Sequence, residues 1–213
     1  MKRLIATAAL ATLVASPAFA QSYQYNPNEG PYIGASFGQA KTDADLDLGS
    51  ALDSAGYDVI SSSSDDSDIG YKVYAGYQFN PNFAVEASYV DFGKFEANAT
   101  VMAGEPIAAN ASASIDGFGF ALVGKLPIQN GFNVYGKLGM VAWDADLDVN
   151  LNSLSGDFAT SDGEDGSDPF YGIGAEYEIN QLVLRAEYER YDLSEGGEDF
   201  EVDFLSAGIG YRF

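Results

Sequence analysis

The chain has 213 residues, 46% of them hydrophobic and only 20% charged, and its 32 acidic and 10 basic side chains give a formal net charge of −22. So acidic a chain lacks the clustered Lys and Arg that bind nucleic-acid phosphates, so we expect no nucleic-acid partner. The absence of cysteine and histidine excludes disulfides, thiolate zinc sites, Cys nucleophiles and imidazole-based acid–base or metal chemistry. Because aromatic residues make up 14% of the chain, the composition indicates a folded protein rather than a disordered polyanion.

The N-terminal residues have the pattern of a secretory signal peptide. Lys2 and Arg3 precede an apolar stretch, and Ala18-Phe19-Ala20 is a small-x-small cleavage site. No later stretch approaches the roughly eighteen consecutive apolar residues of a membrane-spanning helix. The exported protein is therefore expected to enter a membrane only as strands. The predicted parts are a signal peptide over 1–20, a short N-terminal extension over 21–30 and a barrel domain over 31–213.

From Pro31 onward the apolar residues recur with a period of two, which indicates strands rather than helices. Short and long connections alternate between them. Tight turns are expected at 80–82, 127–131 and 180–181, and long polar loops over 44–67, 96–111, 147–168 and 192–199. Eight strands are predicted, over Tyr32–Asp43, Asp68–Phe79, Phe83–Phe95, Ser112–Leu126, Phe132–Asp146, Pro169–Ile179, Leu182–Tyr191 and Phe200–Phe213. An even number of antiparallel strands with this asymmetry is typical of an outer-membrane barrel.

The last strand indicates which face meets lipid. One of its faces carries Leu205, Ala207, Ile209, Tyr211 and Phe213, and the other carries Ser206, Gly208, Gly210 and Arg212. A soluble barrel would bury the first set and leave glycines facing solvent, whereas a narrow membrane barrel needs small residues inside. We therefore predict an all-β fold, an eight-stranded antiparallel up-and-down transmembrane β-barrel. Because alternation alone does not define the inside, a soluble binding barrel remains an alternative.

The face assigned to the interior carries equal numbers of positive and negative side chains. They are Lys72, Lys125, Lys137, Arg185 and Arg212 with Glu86, Glu176, Glu178, Glu187 and Glu189. Buried charges must pair, because leaving one unpaired costs several kcal/mol. The interior of an eight-stranded barrel is just wide enough to be filled by side chains. The balance therefore favours a plugged lumen, and the alternative is a path for protons or ions.

Most of the acid falls in and beside the four long connections, which hold 25 of the 32 acidic residues and no Lys or Arg. A flexible acidic loop is expected over Asp162–Asp168. The pattern Asp-x-Asp-x-Asp occurs twice and places three carboxylates on one face of a strand, so weak candidates for a divalent cation are Asp43, Asp45, Asp47, Asp144, Asp146 and Asp148. Neither segment has the calcium-binding EF-hand pattern. These residues form either a solvated, self-repelling surface or carboxylates bridged through calcium or magnesium to lipopolysaccharide.

Several segments, taken in order, resemble the OmpA-type transmembrane domain, the OmpA-like family of eight-stranded barrels. They are Tyr32–Gly38, Gly76–Pro81, Val85-Glu86 with Tyr89, Tyr135 with Lys137-Leu138-Gly139, Glu176-Tyr177, Arg185–Tyr188 and Gly210–Phe213. The resemblance implies interior ion pairs at Glu86, Lys137, Glu176 and Arg185. It also implies that Phe213 is part of the signal read by the barrel-insertion machinery. Lys125 lies two residues beyond the usual interior Lys of the family, which leaves its partner open.

The expected function is that of a structural, surface-exposed protein of the Gram-negative outer membrane, with its loops outside the cell and both termini in the periplasm. The alternative is a small porin-like channel. Expected contacts are outer-membrane lipid and lipopolysaccharide, and a monomer is favoured. We expect no peptidoglycan-binding domain, because the chain stops at Phe213. Neither enzymatic activity nor a cofactor is expected, since the outer-membrane enzymes that share this architecture generally use histidine.

Overall fold

The computed structural model describes residues 29–43, 48–54, 56, 58–102, 106–153, 156–195 and 198–213. The predicted signal peptide lies outside these ranges. Among the described residues, no helix is long and apolar enough to cross a membrane. The elements are β1 Gly30–Thr42, α1 Leu48–Ser54, β2 Asp58–Asp65, β3 Ser67–Asn80, β4 Phe83–Met102, β5 Pro106–Gln129, β6 Phe132–Ser153, β7 Gly156–Ile179, β8 Leu182–Glu195 and β9 Glu198–Arg212.

Eight of the strands close into an antiparallel ring, which confirms the predicted barrel. Each ring strand pairs with its neighbour in the chain, β3 follows β1 around the ring, and β9 returns to pair with β1 from Tyr32↔Arg212 to Thr42↔Val202. The three tight turns lie where they were predicted. At two of them, Asn130 and Gly131 adopt φ of 52° and 81°, and Asn180 adopts 57°, the left-handed conformation that Asn and Gly tolerate best. We call this the turn end and the opposite end the loop end.

The long loops were predicted wrongly, because much of each one is strand. The ring strands β4 to β7 have 20, 24, 22 and 24 residues, whereas β1, β8 and β9 have 13, 14 and 15. The expected flexible loop at 162–168 lies within β7. In β4 and β5 the alternation continues through these segments, with Ala97, Ala99 and Ala109 on the buried face, whereas residues 159–165 of β7 are all exposed. Alanine gives a weak apolar signal beside acidic neighbours, which is why periodicity failed there.

The extra strand β2 extends the line of β3 beyond the barrel. It pairs with β4 over Asp58↔Met102 to Asp65↔Glu96, whereas β3 pairs with the turn-end part of β4, residues 83–91. At the change of partner, Gly93 has φ of 83° and the register shifts between Asp91 and Lys94, a bulge that lets the strand bend. Strands β2, β4, β5, β6 and β7 thus form a sheet, the projecting sheet, that extends past the shorter strands at the loop end.

The outside of the ring is apolar over its turn-end half. Phe37 and Ile69 expose 70% and 75% of their surface, and the same face carries exposed Phe120, Leu138 and Leu205. Aromatic residues gather at the turn end, where Tyr77 packs on Phe79 and Tyr211 packs on Phe213. A continuous apolar belt of this extent would be unfavourable in water and is the surface that lipid tails cover.

Candidate functional site: the barrel lumen

The lumen contains two layers, and the layer nearer the turn end is charged. All ten residues predicted for the interior network lie there, supplied by strands β3 to β9. Their positions alternate with lipid-facing residues, so each points inward. Nine are buried, and Glu178 is nearly so, with 14% of its side chain exposed. Each of the ten has an ion-pair partner within the set.

The centre of the charged layer joins four strands through Arg185, Glu86 and Lys137. Arg185 donates from Nη1 to Glu86 Oε2 at 2.8 Å and from Nη2 to Glu176 Oε2 at 3.2 Å. Lys137 donates to the other oxygen of Glu86 and lies 2.7 Å from Glu187 Oε2. The four residues implied by the family resemblance therefore meet in one network, which bridges strands on opposite sides of the ring.

The remaining cations extend this network toward both ends. Lys72 donates to Glu187 and Glu189 from the loop-end side. Lys125, whose partner the sequence left open, donates to Glu176 at 2.7 Å. Arg212 lies 3.0 Å from Glu178 at the turn end. Because every carboxylate faces at least one cation, the layer is neutral as a whole and its charges are locally compensated.

Three tyrosines that the sequence analysis did not assign to the interior network line the charged layer. The Arg185 guanidinium lies over the rings of Tyr74, Tyr135 and Tyr32, at 4.4, 5.0 and 5.7 Å from their centroids. Tyr32 donates its hydroxyl to Glu86 at 3.0 Å, and Tyr135 donates to Glu187 at 2.5 Å. Cation–π contacts and hydrogen bonds thus replace the hydration that Arg185 loses on burial.

These rings fit because glycines stand beneath them. The Tyr74 ring covers Gly34, the Tyr32 ring covers Gly76, and the Tyr135 ring covers Gly174. A Cβ atom at Gly34 would lie only 2.3 Å from the Tyr74 ring. Inward Gly on one strand facing inward Tyr on its neighbour is the sequence signal that could have revealed this packing.

The second layer, nearer the loop end, is apolar and was not predicted. Tyr191 stacks on Phe170 at 4.9 Å between ring centroids and meets Phe92 edge-on at 4.8 Å. The layer also contains Val90, Phe95, Ile115, Val141, Trp143, Leu193, Val202 and Phe204. The Trp143 indole donates to Asp168 at 2.7 Å where the layer ends. Side chains therefore fill the lumen at two successive levels.

Outside the lumen, the loop-end border of the apolar belt carries an ion pair on β8 and β9. Arg190 donates from Nε and Nη2 to the two oxygens of Asp203 at 2.7 and 2.9 Å, and Tyr188 donates to Asp203 at 2.7 Å. The hydrogen bonds from Arg190 hold the pKa of Asp203 below its ordinary value. This ion pair links the loop-end parts of β8 and β9.

On the opposite side, the same border carries a row of carboxylates. Asp91 pairs across the strands with Asp116, Asp116 with Asp144, and Asp144 with Asp165. Partial burial, followed by the charges of Asp144 and Asp91, raises the pKa of Asp116. Like charges directly opposite each other on neighbouring strands are destabilising. We therefore expect this row of carboxylates to lower the stability of the barrel.

The predicted cation ligands are only partly described. Asp144, Asp146 and Asp148 lie exposed on the outward face of β6, and Asp43 follows β1, whereas Asp45 and Asp47 lie outside the described residues. Within the described ranges, no group of three or more acidic side chains is placed to hold a metal ion. A bridged cation therefore stays a prediction.

An eight-stranded antiparallel ring with an apolar outside and a polar, side-chain-filled interior defines the class of outer-membrane β-barrels. Residues 6–213 match the model of the outer membrane protein beta-barrel domain, and the chain belongs to that family. This finding confirms the resemblance to OmpA-like barrels and places the protein in the Gram-negative outer membrane.

Similar proteins fit this assignment. Outer membrane protein A of Salmonella typhi is 29% identical to this chain over 152 residues, which cover 68% of this chain and 40% of that protein. Outer membrane protein A of Shigella flexneri is 28% identical over 152 residues, with the same coverage of both chains. The chain thus spans about two fifths of the length of these relatives. Neisserial surface protein A has the same fold, with a TM-score of 0.52, 14% identity, and coverage of 88% of this chain and all of that one.

Proposed function

We propose that this protein is a closed structural barrel that presents an acidic surface outside the cell. In this arrangement the loop end is extracellular, and the turn end, with both termini, is periplasmic. The observation that carries the proposal is the double filling of the lumen, in which a neutral charged layer and an apolar layer follow one another. Such a lumen offers ions neither a hydrated path nor a net charge to attract them.

The acidic surface supports a role in surface interaction or envelope integrity. Contact with outer-membrane lipid and lipopolysaccharide follows from membership of the family. A more specific hypothesis is that calcium or magnesium bridges the acidic side chains to lipopolysaccharide. The bridging hypothesis expects barrel stability to rise with millimolar calcium, and unchanged stability on adding EDTA would contradict it. We also propose that the protein is not an enzyme, since the chain has no histidine.

Conductance of the refolded protein in a planar lipid bilayer tests closure. We expect no steady current above that of the lipid alone. A reproducible, ion-selective conductance from the unaltered protein would replace closure with the porin-like alternative.

Variants of the two layers sharpen the test. Phe92→Ala with Phe204→Ala widens only the apolar layer, and Lys137→Ser with Glu86→Ser widens only the charged layer. If the layers close the lumen in series, only the fourfold variant conducts, and the outward-facing Phe37→Ala control stays silent. Conductance from either double variant alone would show that a single layer forms the barrier.

A further inference from the structure

Strand β2 is one edge of the projecting sheet, and α1 contacts both β2 and β4. Among the described residues, β2 pairs with β4 alone, because β1 ends at Thr42 and does not reach beside it. Seven of its eight residues are exposed, and Val59 is half-buried. Alternate backbone N–H and C=O groups of such a strand point outward without a ladder partner, which makes it a template for a further strand.

The two edges of the projecting sheet differ in how they resist strand addition. The other edge is the loop-end part of β7, because β8 pairs with β7 only from Phe170 onward. That edge carries Asp162, Glu164 and Asp165, with Gly163 and Gly166 beside them. Charges and glycines protect an edge from pairing. The β2 edge instead carries the run Ser61–Ser64, with neither charge nor proline.

Charge around the β2 edge selects the kind of strand that fits it. Residues 43–68 contain eight acidic side chains and no Lys or Arg. Asp58 and Asp65 stand at the two ends of β2, and Asp65 lies directly opposite exposed Glu96. A second copy of this chain is disfavoured, since antiparallel pairing of two β2 strands would bring Asp58 opposite Asp65.

We propose that the β2 edge binds an extended cationic peptide segment of another protein by strand addition. Backbone hydrogen bonds supply the attachment, and Lys or Arg beside Asp58 and Asp65 supplies the selectivity. The inference rests on the proposed function only for placing the edge outside the cell. Binding is measured on the purified protein in a nanodisc, so a failure here and a failure of lumen closure are separate results.

The test uses a synthetic peptide of alternating Lys and Thr and the protein in nanodiscs of zwitterionic lipid. We expect saturable binding by fluorescence anisotropy and slowed amide exchange over residues 58–65. The same peptide with N-methylated interior amides keeps its charge but loses its backbone donors, so its affinity should fall at least about tenfold. Equal affinity of the two peptides would overturn strand addition in favour of electrostatic adsorption.

Matched variants locate the site. Asp58→Asn with Asp65→Asn should weaken binding several-fold, whereas Asp162→Asn with Glu164→Gln removes equal charge from the other edge and should leave it unchanged. Equal loss in both variants, or exchange protection on β7 instead of β2, would overturn the assignment. Exchange protection of β2 that needs no peptide and grows with protein concentration would indicate pairing between copies and would also overturn it.

Discussion

At the scale of single residues, Glu86 has the most consequential contacts, because it accepts from Tyr32, Lys137 and Arg185 at once. Replacing it with Gln leaves two buried cations short of a carboxylate. We expect Glu86→Gln to lower the free energy of unfolding by about 3 kcal/mol, the cost typical of breaking a buried ion pair. Urea unfolding in lipid vesicles measures this, with exposed Asp148→Asn as the neutral control. A loss no larger than that of the control would contradict the network's structural role.

A second residue-scale prediction concerns pH and the Arg190–Asp203 pair. The pKa of Asp203 is lowered in the folded protein by hydrogen bonds from Arg190, so the pair adds stability above the unfolded value of about 4 and loses it as pH falls through the folded value. We expect Asp203→Asn to cost no more than about 1 kcal/mol at pH 7, because both side chains keep about a third of their surface in contact with solvent, which screens the pair. Unfolding midpoints of the two proteins should converge in acid. A difference in unfolding midpoint that persists at the lowest pH would indicate a packing effect of the substitution instead.

At the scale of elements, the carboxylate row joins neighbouring strands through their register. Partial burial and, after it, neighbouring charges raise the pKa of Asp116. The folded state therefore binds the proton more tightly than the unfolded state does, and ionisation above that pKa costs stability. We expect Asp116→Asn to stabilise the barrel by about 0.5 kcal/mol at neutral pH, and this gain should vanish in acid. Exposed Asp148→Asn, whose cross-strand partners are Ser112 and Ser161, is the comparison. Destabilisation by Asp116→Asn would contradict repulsion across the strands.

The Tyr-over-Gly packing between β1 and β3 gives a second prediction for elements. Gly34→Ala forces the Tyr74 ring away from Arg185, and we expect a loss of about 1–3 kcal/mol from this overpacking. Gly124 faces outward, and nothing lies within 4 Å of an added Cβ atom there, so Gly124→Ala is the matched control. Equal stability of the two variants, measured by urea unfolding in vesicles, would mean that the ring moves without cost.

At the scale of the whole molecule, we expect the barrel to close without the β4–β5 tip of the projecting sheet. Ala97 and Ala111 are paired residues of β4 and β5, so an Asn-Gly turn can join them in place of residues 98–110. We expect this shortened protein to insert and close normally, because both layers of the lumen remain. Heat-dependent gel migration and proteolysis in vesicles check it. Failure to form the heat-sensitive species would show that the projecting sheet is needed for closure of the barrel.

Local patterns in the sequence determined much of this molecule. Alternation defined the eight ring strands and their faces, Asn and Gly marked the turns, and charge of both signs on one face indicated the ten lumen residues. These features are local because side-chain direction in a strand depends only on parity.

Tertiary structure alone decided which groups meet. Lys72 and Glu187 are 115 residues apart, and Lys125 and Glu176 are 51 apart, so their contact depends on the closure and stagger of the ring rather than on any local pattern. The apolar layer likewise needs Phe92, Phe170 and Tyr191 brought together from three strands. Sequence periodicity missed the projecting sheet because the buried face of its β4 and β5 parts is alanine, which buries little apolar area per residue, and residues 159–165 of β7 have no buried face. Their strand structure depends on pairing with longer neighbours, which a single sequence does not display.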